Sequence, residues 1–134
     1  MSLEVNNDLG YEYFEKISKL APKLGLSALG VTNAEPFLET RIEIERRKEK
    51  ELHGGMQFTF RNPERSTTPK MIMKDAKSLI VGALRTPAPR LETVSNEALR
   101  IAAYARKDYY SVLREALTEI SEILKNDGWK AQVV

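Results

Sequence analysis

At 134 residues the chain has room for one domain that buries about two thirds of the surface its unfolded form exposes, so a core can form without covalent staples. Its 42% hydrophobic and 30% charged residues are those of an ordinary globular protein, and a net charge of +2 argues neither for nor against nucleic acid. The absence of cysteine excludes disulfides, thiolate nucleophiles and cysteine-ligated zinc or iron–sulfur clusters within this chain. No basic start runs into an apolar stretch, and no run approaches the roughly 18 apolar residues of a membrane span, so no membrane partner and a cytoplasmic location are expected.

Tyr13, Ile17, Leu20 and Leu24 recur at helical spacing and predict one amphipathic helix, with Pro22 kinking its end and Gly25 stopping it. The apolar run 26–32 (LSALGVT) reads as a buried strand. Asn33 is placed to cap a second helix, with Glu35 and Pro36 in its first turn and Arg46, Arg47, Lys48 and Lys50 toward its end, a charge order that suits the helix dipole. Residues 54–69 hold no sustained period and predict a long ordered loop or a set of turns. Within it Met56, Phe58 and Phe60 alternate with polar residues, the pattern of a half-buried strand.

Residues 78–84 (SLIVGAL) form the clearest strand, and the proline-rich segment TPAPRLETVSNE after it predicts a surface excursion. Asp108 can cap a long helix whose Val112, Leu113, Ala116, Leu117, Ile120 and Leu124 make one apolar face, stopping at Asn126-Asp127-Gly128. Residues 129–134 (WKAQVV) read as another strand, and ending on it suggests a cut inside a larger protein. Alternating helices and strands predict an α/β or α+β fold, a small mixed sheet covered by helices.

His53, the chain's only histidine, lies beside Gly54 and Gly55, but no ligand or base partner stands at the spacing chemistry needs. A structural role is the better reading, the ring hydrogen-bonding a backbone carbonyl at the helix end, and the glycines read as a helix terminator. Arg61 and Arg65 flank Asn62-Pro63-Glu64 on a loop stiffened by prolines. Two planar forks there suit carboxylate, amide or phosphate recognition, unless both pair with surface acids. Tyr104, Tyr109 and Tyr110 stand among Arg100, Arg106, Lys107 and Arg114. Such a cluster could stack on a planar group, and a solvated helix start with tyrosines bridging core and water is the plainer reading.

Four blocks in order, LGLSALGVTNAEPF, LHGGMQFTFRNPERSTTP, AKSLIVGAL and RIAAYARKDYYSVLREAL, resemble successive segments of the epoxyqueuosine reductase family, the cobalamin and iron–sulfur enzymes that complete queuosine in tRNA. The likeness is to the actinobacterial type, in which a segment like DGWKAQVV leads into the second half. It implies a nitroreductase-like, cobalamin-binding N-terminal domain over 1–134, one wall of a corrinoid site, cut before the catalytic aspartate and the iron–sulfur domain. Arg65 matches the family's arginine before a proline that contacts the corrinoid. Ala102 and Ala103 match the segment that lies against the cofactor just before the long helix, and Tyr104 follows them. Smallness at Ala102 permits close approach to a flat ring. The family often has Arg where Ala103 stands and DYH where this chain reads Asp108-Tyr109-Tyr110.

The resemblance therefore implies cobalamin as cofactor, 4Fe-4S clusters only in the absent C-terminal half, tRNA as a partner of the full-length protein, and no catalysis or metal site in this chain alone. Unpaired surface facing the missing half predicts a homo-oligomer. The competing expectation is a stand-alone corrinoid-binding or protein-interaction module without catalysis. A small RNA-binding domain using Arg61, Arg65 and the tyrosines draws little support from the net charge of +2.

Overall fold

A computed structural model describes residues 7–86 and 102–134. The order of elements is helix α1 (Asn7–Ser18), strand β1 (Ala28–Asn33), helix α2 (Leu38–Glu49), two short helices α3 (Phe58–Arg61) and α4 (Pro63–Thr67), strand β2 (Ser78–Ala83) and the long helix α5 (Tyr109–Asn126). Single 3-10 turns at Pro69–Met71 and Ala103–Arg106 precede β2 and α5. The two strands pair. Ser27 N–H donates to the Ala83 carbonyl at 2.8 Å, and Ala34 N–H to that of Lys77 at 3.2 Å. Numbers that rise on one strand while falling on the other make the ladder antiparallel. The architecture is α+β, and among the described residues the sheet is two-stranded and antiparallel rather than mixed.

The expected strand at 129–134 is not formed. Its sequence has the right composition, but a strand exists only as a partner of another, and among the described residues the sheet is β1 and β2 alone. The proline-rich excursion falls largely outside the described residues.

The chain divides into two compact units, one of Met1–Gly30 with Val81–Val134 and one of Val31–Ile80. In the first, Ile17, Ala21, Leu26, Ala116 and Ile120 are buried. The stripes read from α1 and α5 are thus the faces that enter the core, and each fully buried Ile or Leu side chain contributes roughly 1.5–3 kcal/mol. Gly82 belongs to this packing: a Cβ there would stand 3.0 Å from Leu117 Cδ2 and 3.5 Å from Leu26 Cδ1.

Regular helix α1 ends at Ser18, seven residues before the expected stop at Gly25. Pro22 has no N–H to offer Ser18, and Ala21 N–H takes that carbonyl in a tighter turn. Gly25, at φ +76°, then reverses the chain so that Leu26 N–H reaches the Ala21 carbonyl at 2.9 Å. Helix α5 behaves as expected at both ends: at its start Asp108 Oδ1 accepts from Ser111 N–H at 3.0 Å, and Gly128 follows its finish at φ +90°. Asp127, capping that end, accepts from Tyr13 Oη and Lys16 Nζ of α1, both at 2.8 Å.

In the second unit α2 starts at Leu38, and Asn33 is not its cap. The residue before a proline is held out of the α region, so Asn33 instead closes a local turn, its Oδ1 accepting from Glu35 N–H. The stop also comes earlier than Gly54-Gly55. Leu52 N–H returns to the Arg47 carbonyl at 3.0 Å, with Glu51 itself at φ +55°. The alternating Met56, Phe58 and Phe60 are not a strand: the segment turns into α3, leaving Phe58 86% exposed.

Candidate functional site

The loop singled out in the sequence is organised as two consecutive helical turns hinged on Asn62. This residue ends α3 in an extended conformation and opens α4, its Oδ1 accepting from Arg65 N–H at 3.0 Å, with Pro63 in the first helical position. A proline there loses nothing, because that N–H has no partner inside the helix. Four residues apart across the hinge, Arg61 and Arg65 line one open groove of 540 Å³ together with Phe58, Asn62, Ser66 and Ile72.

The charges of the unit are distributed unevenly. Arg46 and Arg47 both close on Glu43, which Arg46 first and Arg47 second pull down to about 2. Arg41 donates from Nε to Thr67 Oγ1 at 3.1 Å and from Nη2 to Thr68 Oγ1 at 2.6 Å, and its Nη1 lies 3.8 Å from Glu64 Oε1. Neither guanidinium of Arg61 and Arg65 has an acidic or hydrogen-bond partner among the described residues. The surface-pairing alternative for these two is therefore not what the structure shows. Glu64, the acid between them, is turned to Arg41.

Arg41 is the residue sequence reasoning missed. It sits half-buried on α2, where a helix face of that composition signals only solvation, yet it clamps the segment that carries Arg65. Thr67 completes the clamp: 2% exposed, its hydroxyl donates to the Pro63 carbonyl at 2.8 Å while accepting from Arg41, and its carbonyl accepts Phe37 N–H at 2.9 Å. A Thr-Thr pair following an Arg-bearing helix was the available signal, and it becomes readable only once α2 lies beside it.

His53 packs its ring on Phe60 at 5.5 Å between centroids, and its buried Nδ1 has no hydrogen-bond partner. The expected bond from the ring to a helix-end carbonyl is not made, because the turn through left-handed Gly54 and Gly55 directs the nearby backbone bond from Met56 N–H to the His53 carbonyl.

The remaining candidates belong to the other unit. Ala102 is exposed and extended at φ −57°, ψ 145°, preceding the 3-10 turn that contains Ala103 and Tyr104. Its carbonyl accepts Ala105 N–H at 3.0 Å. Tyr104 and Tyr110 are largely exposed, whereas Tyr109 is half-buried with Lys107 Nζ 5.8 Å from its ring centre. Asp108, just before them, is held below the usual carboxylate range, chiefly by the Ser111 hydroxyl and then by its backbone N–H. The groove thus offers unpaired planar donors beside apolar surface, and the approach to α5 offers a methyl-sized position followed by an open phenol ring.

Comparison with known proteins gives one consistent result. The chain is 30% identical over 125 residues to the epoxyqueuosine reductase of Bacillus subtilis, covering 87% of this chain and 31% of that protein. It is 31% identical over 117 residues to that of Listeria monocytogenes, covering 82% and 30% respectively. Against the Lactococcus garvieae enzyme it is 30% identical over 112 residues, covering 81% and 31%. The chain spans about a third of the length of these curated relatives. No family model matches it. No solved structure matches it significantly. The likeness read from the four sequence blocks is therefore shown across most of the chain, and it is a likeness to one part of the relatives.

Proposed function

We propose that this chain, similar over most of its length to epoxyqueuosine reductases, is the cobalamin-facing N-terminal domain of such a reductase, a part that places the cofactor and does not catalyse alone. The supporting observation is the groove that keeps Arg61 and Arg65 unpaired beside Phe58 and Ile72. Two exposed guanidinium groups on one groove without acids leave their donors to water, which an anionic or amide ligand can replace.

The residues are chemically suited to a corrinoid, each unit taken by itself. Arg65 has donors for the amide and phosphate oxygens at a corrinoid's periphery, and Ala102 has no side chain beyond a methyl to hold a flat ring away. Ala103 and Tyr104 continue the segment proposed to face the cofactor. When bound, cobalamin would supply the cobalt-centred reduction of an epoxide, and the protein would supply placement and electrostatics. Arg65 would bind and orient, and exposed Phe58 would shield the groove from water. With no cysteine in the chain, the 4Fe-4S clusters of this reading lie in the remaining two thirds of the full-length protein, with the proton-donating aspartate. That part, tRNA as the carrier of the substrate, and a cytoplasmic setting complete the proposal. No helix among the described residues is long and apolar enough to cross a membrane.

The test is a visible-absorbance titration of hydroxocobalamin into the chain and its Arg65→Ala variant. A saturable spectral change is expected, with affinity reduced about ten- to a hundredfold in the variant, the value of one lost charge-assisted hydrogen bond of roughly 1.5–3 kcal/mol. Absence of any change with the unaltered chain, or equal affinity of the two, would overturn the cofactor-facing role.

A further inference from the structure

The groove between α3 and α4 is more selective than its two arginines alone suggest. No carboxylate lines it. Asn62 Oδ1 is already committed to Arg65 N–H, and the Ser66 hydroxyl donates to the Thr59 carbonyl at 3.2 Å. The charged groups left facing the groove are the two guanidinium forks. A second groove in the unit, along α2, is lined by Glu39 and Glu43 with Arg47, so it carries acids that the first groove does not have. The first groove thus presents two cationic side chains and no acid on one side of α3. Its walls are not wholly polar, since Phe58 and Ile72 expose apolar area beside the arginines. Two forks set across one hinge match an anion with two accessible oxygens, and the adjoining apolar walls match a ligand whose anionic group is flanked by carbon substituents. A phosphodiester has both properties.

We propose that Arg61 and Arg65 together bind a phosphodiester, and, resting on the cofactor-facing reading above, that it is the phosphodiester of the nucleotide loop of cobalamin rather than the corrin ring. Arg61 thereby becomes a binding residue alongside Arg65. The Arg41 clamp on Thr67 and Thr68 anchors the end of α4, the helix that carries Arg65.

The experiment follows the Arg61 and Arg65 Nε–H resonances of the full chain by nitrogen-15 NMR during titration with three probes. These are hydroxocobalamin, cobinamide (the corrin ring without its nucleotide loop) and dimethyl phosphate (the diester without a ring). Shifts of both resonances by hydroxocobalamin and dimethyl phosphate, and not by cobinamide, are expected. The preference for cobalamin over cobinamide should be at least about tenfold and fall to parity in Arg61→Gln/Arg65→Gln, two exposed positions whose exchange leaves the core untouched. If both corrinoids shift the resonances equally and dimethyl phosphate does not, the phosphodiester assignment is wrong while the corrinoid reading stands. If dimethyl phosphate shifts them and neither corrinoid does, the phosphodiester site stands and its assignment to cobalamin fails. Silence with all three probes overturns both.

Discussion

Thr67 makes one hydroxyl serve two partners, accepting from Arg41 and donating to the Pro63 carbonyl, in a position almost wholly removed from solvent. A buried hydroxyl satisfied on both sides stabilises modestly, but its loss strands two polar groups at once. Thr67→Val keeps the shape and removes the oxygen, so unfolding free energy in urea is expected to fall by about 1–3 kcal/mol. A loss below about 0.5 kcal/mol would show that water replaces the hydroxyl and that Arg41 is not a clamp. The residue-scale signals legible in the sequence were those with local partners. Asp108 bonds three residues ahead and Gly25 turns its own backbone, so type and position suffice. Arg41 and Thr67 are separated by 26 residues, and no local rule links them.

Helices α1 and α5 meet through Asp127, Tyr13 and Lys16, with Trp129 set edge-on to the Tyr13 ring at 6.2 Å. Lys16 first, then Tyr13, holds the Asp127 carboxyl below its ordinary range. Burial first, then Asp127, pushes the Tyr13 phenol up to about 12. The depressed carboxylate adds stability that is complete above its unfolded value of about 3.9 and is lost as pH falls through the lower folded value. The raised phenol adds stability complete below its unfolded value of about 10, lost as pH rises through the folded one. The tie therefore holds throughout the neutral range. In urea unfolding Asp127→Asn is expected to be less stable than the parent by a constant margin between about pH 5 and 8, with the margin closing toward pH 2. A margin unchanged in acid would place the effect in helix capping alone. The element boundaries follow the same logic: α5 matched its pattern at both ends because both caps are local, whereas α2 begins late because Pro36 and the Thr67 carbonyl, a distant acceptor for Phe37 N–H, set its first turn.

At the scale of the whole molecule, apolar surface is left in the open on several elements. Leu38 and Ile42 share a face of α2 with 60% and 65% exposure, and Trp129 and Val134 stand at 61% and 74%. Where such side chains make a contiguous patch, they mark surfaces that a further domain or another copy covers. Sedimentation velocity of the chain alone is expected to show a monomer passing to dimer or higher species as concentration rises. A single monomeric boundary at every concentration would remove self-association from the reading.

The sequence by itself determined the α+β class, the apolar faces of α1 and α5, both strands of the sheet and the likeness to one part of the epoxyqueuosine reductases. These rest on periodicity and local stereochemistry, which a single chain segment carries with it. Only the tertiary structure decided that 129–134 forms no strand among the described residues, that alternating Met56, Phe58 and Phe60 enter a helical turn, and that Glu64 faces Arg41. The last of these leaves Arg61 and Arg65 unpaired. An extended segment becomes a strand, and a surface arginine finds or lacks an acidic partner, according to which groups the rest of the fold brings within hydrogen-bond reach.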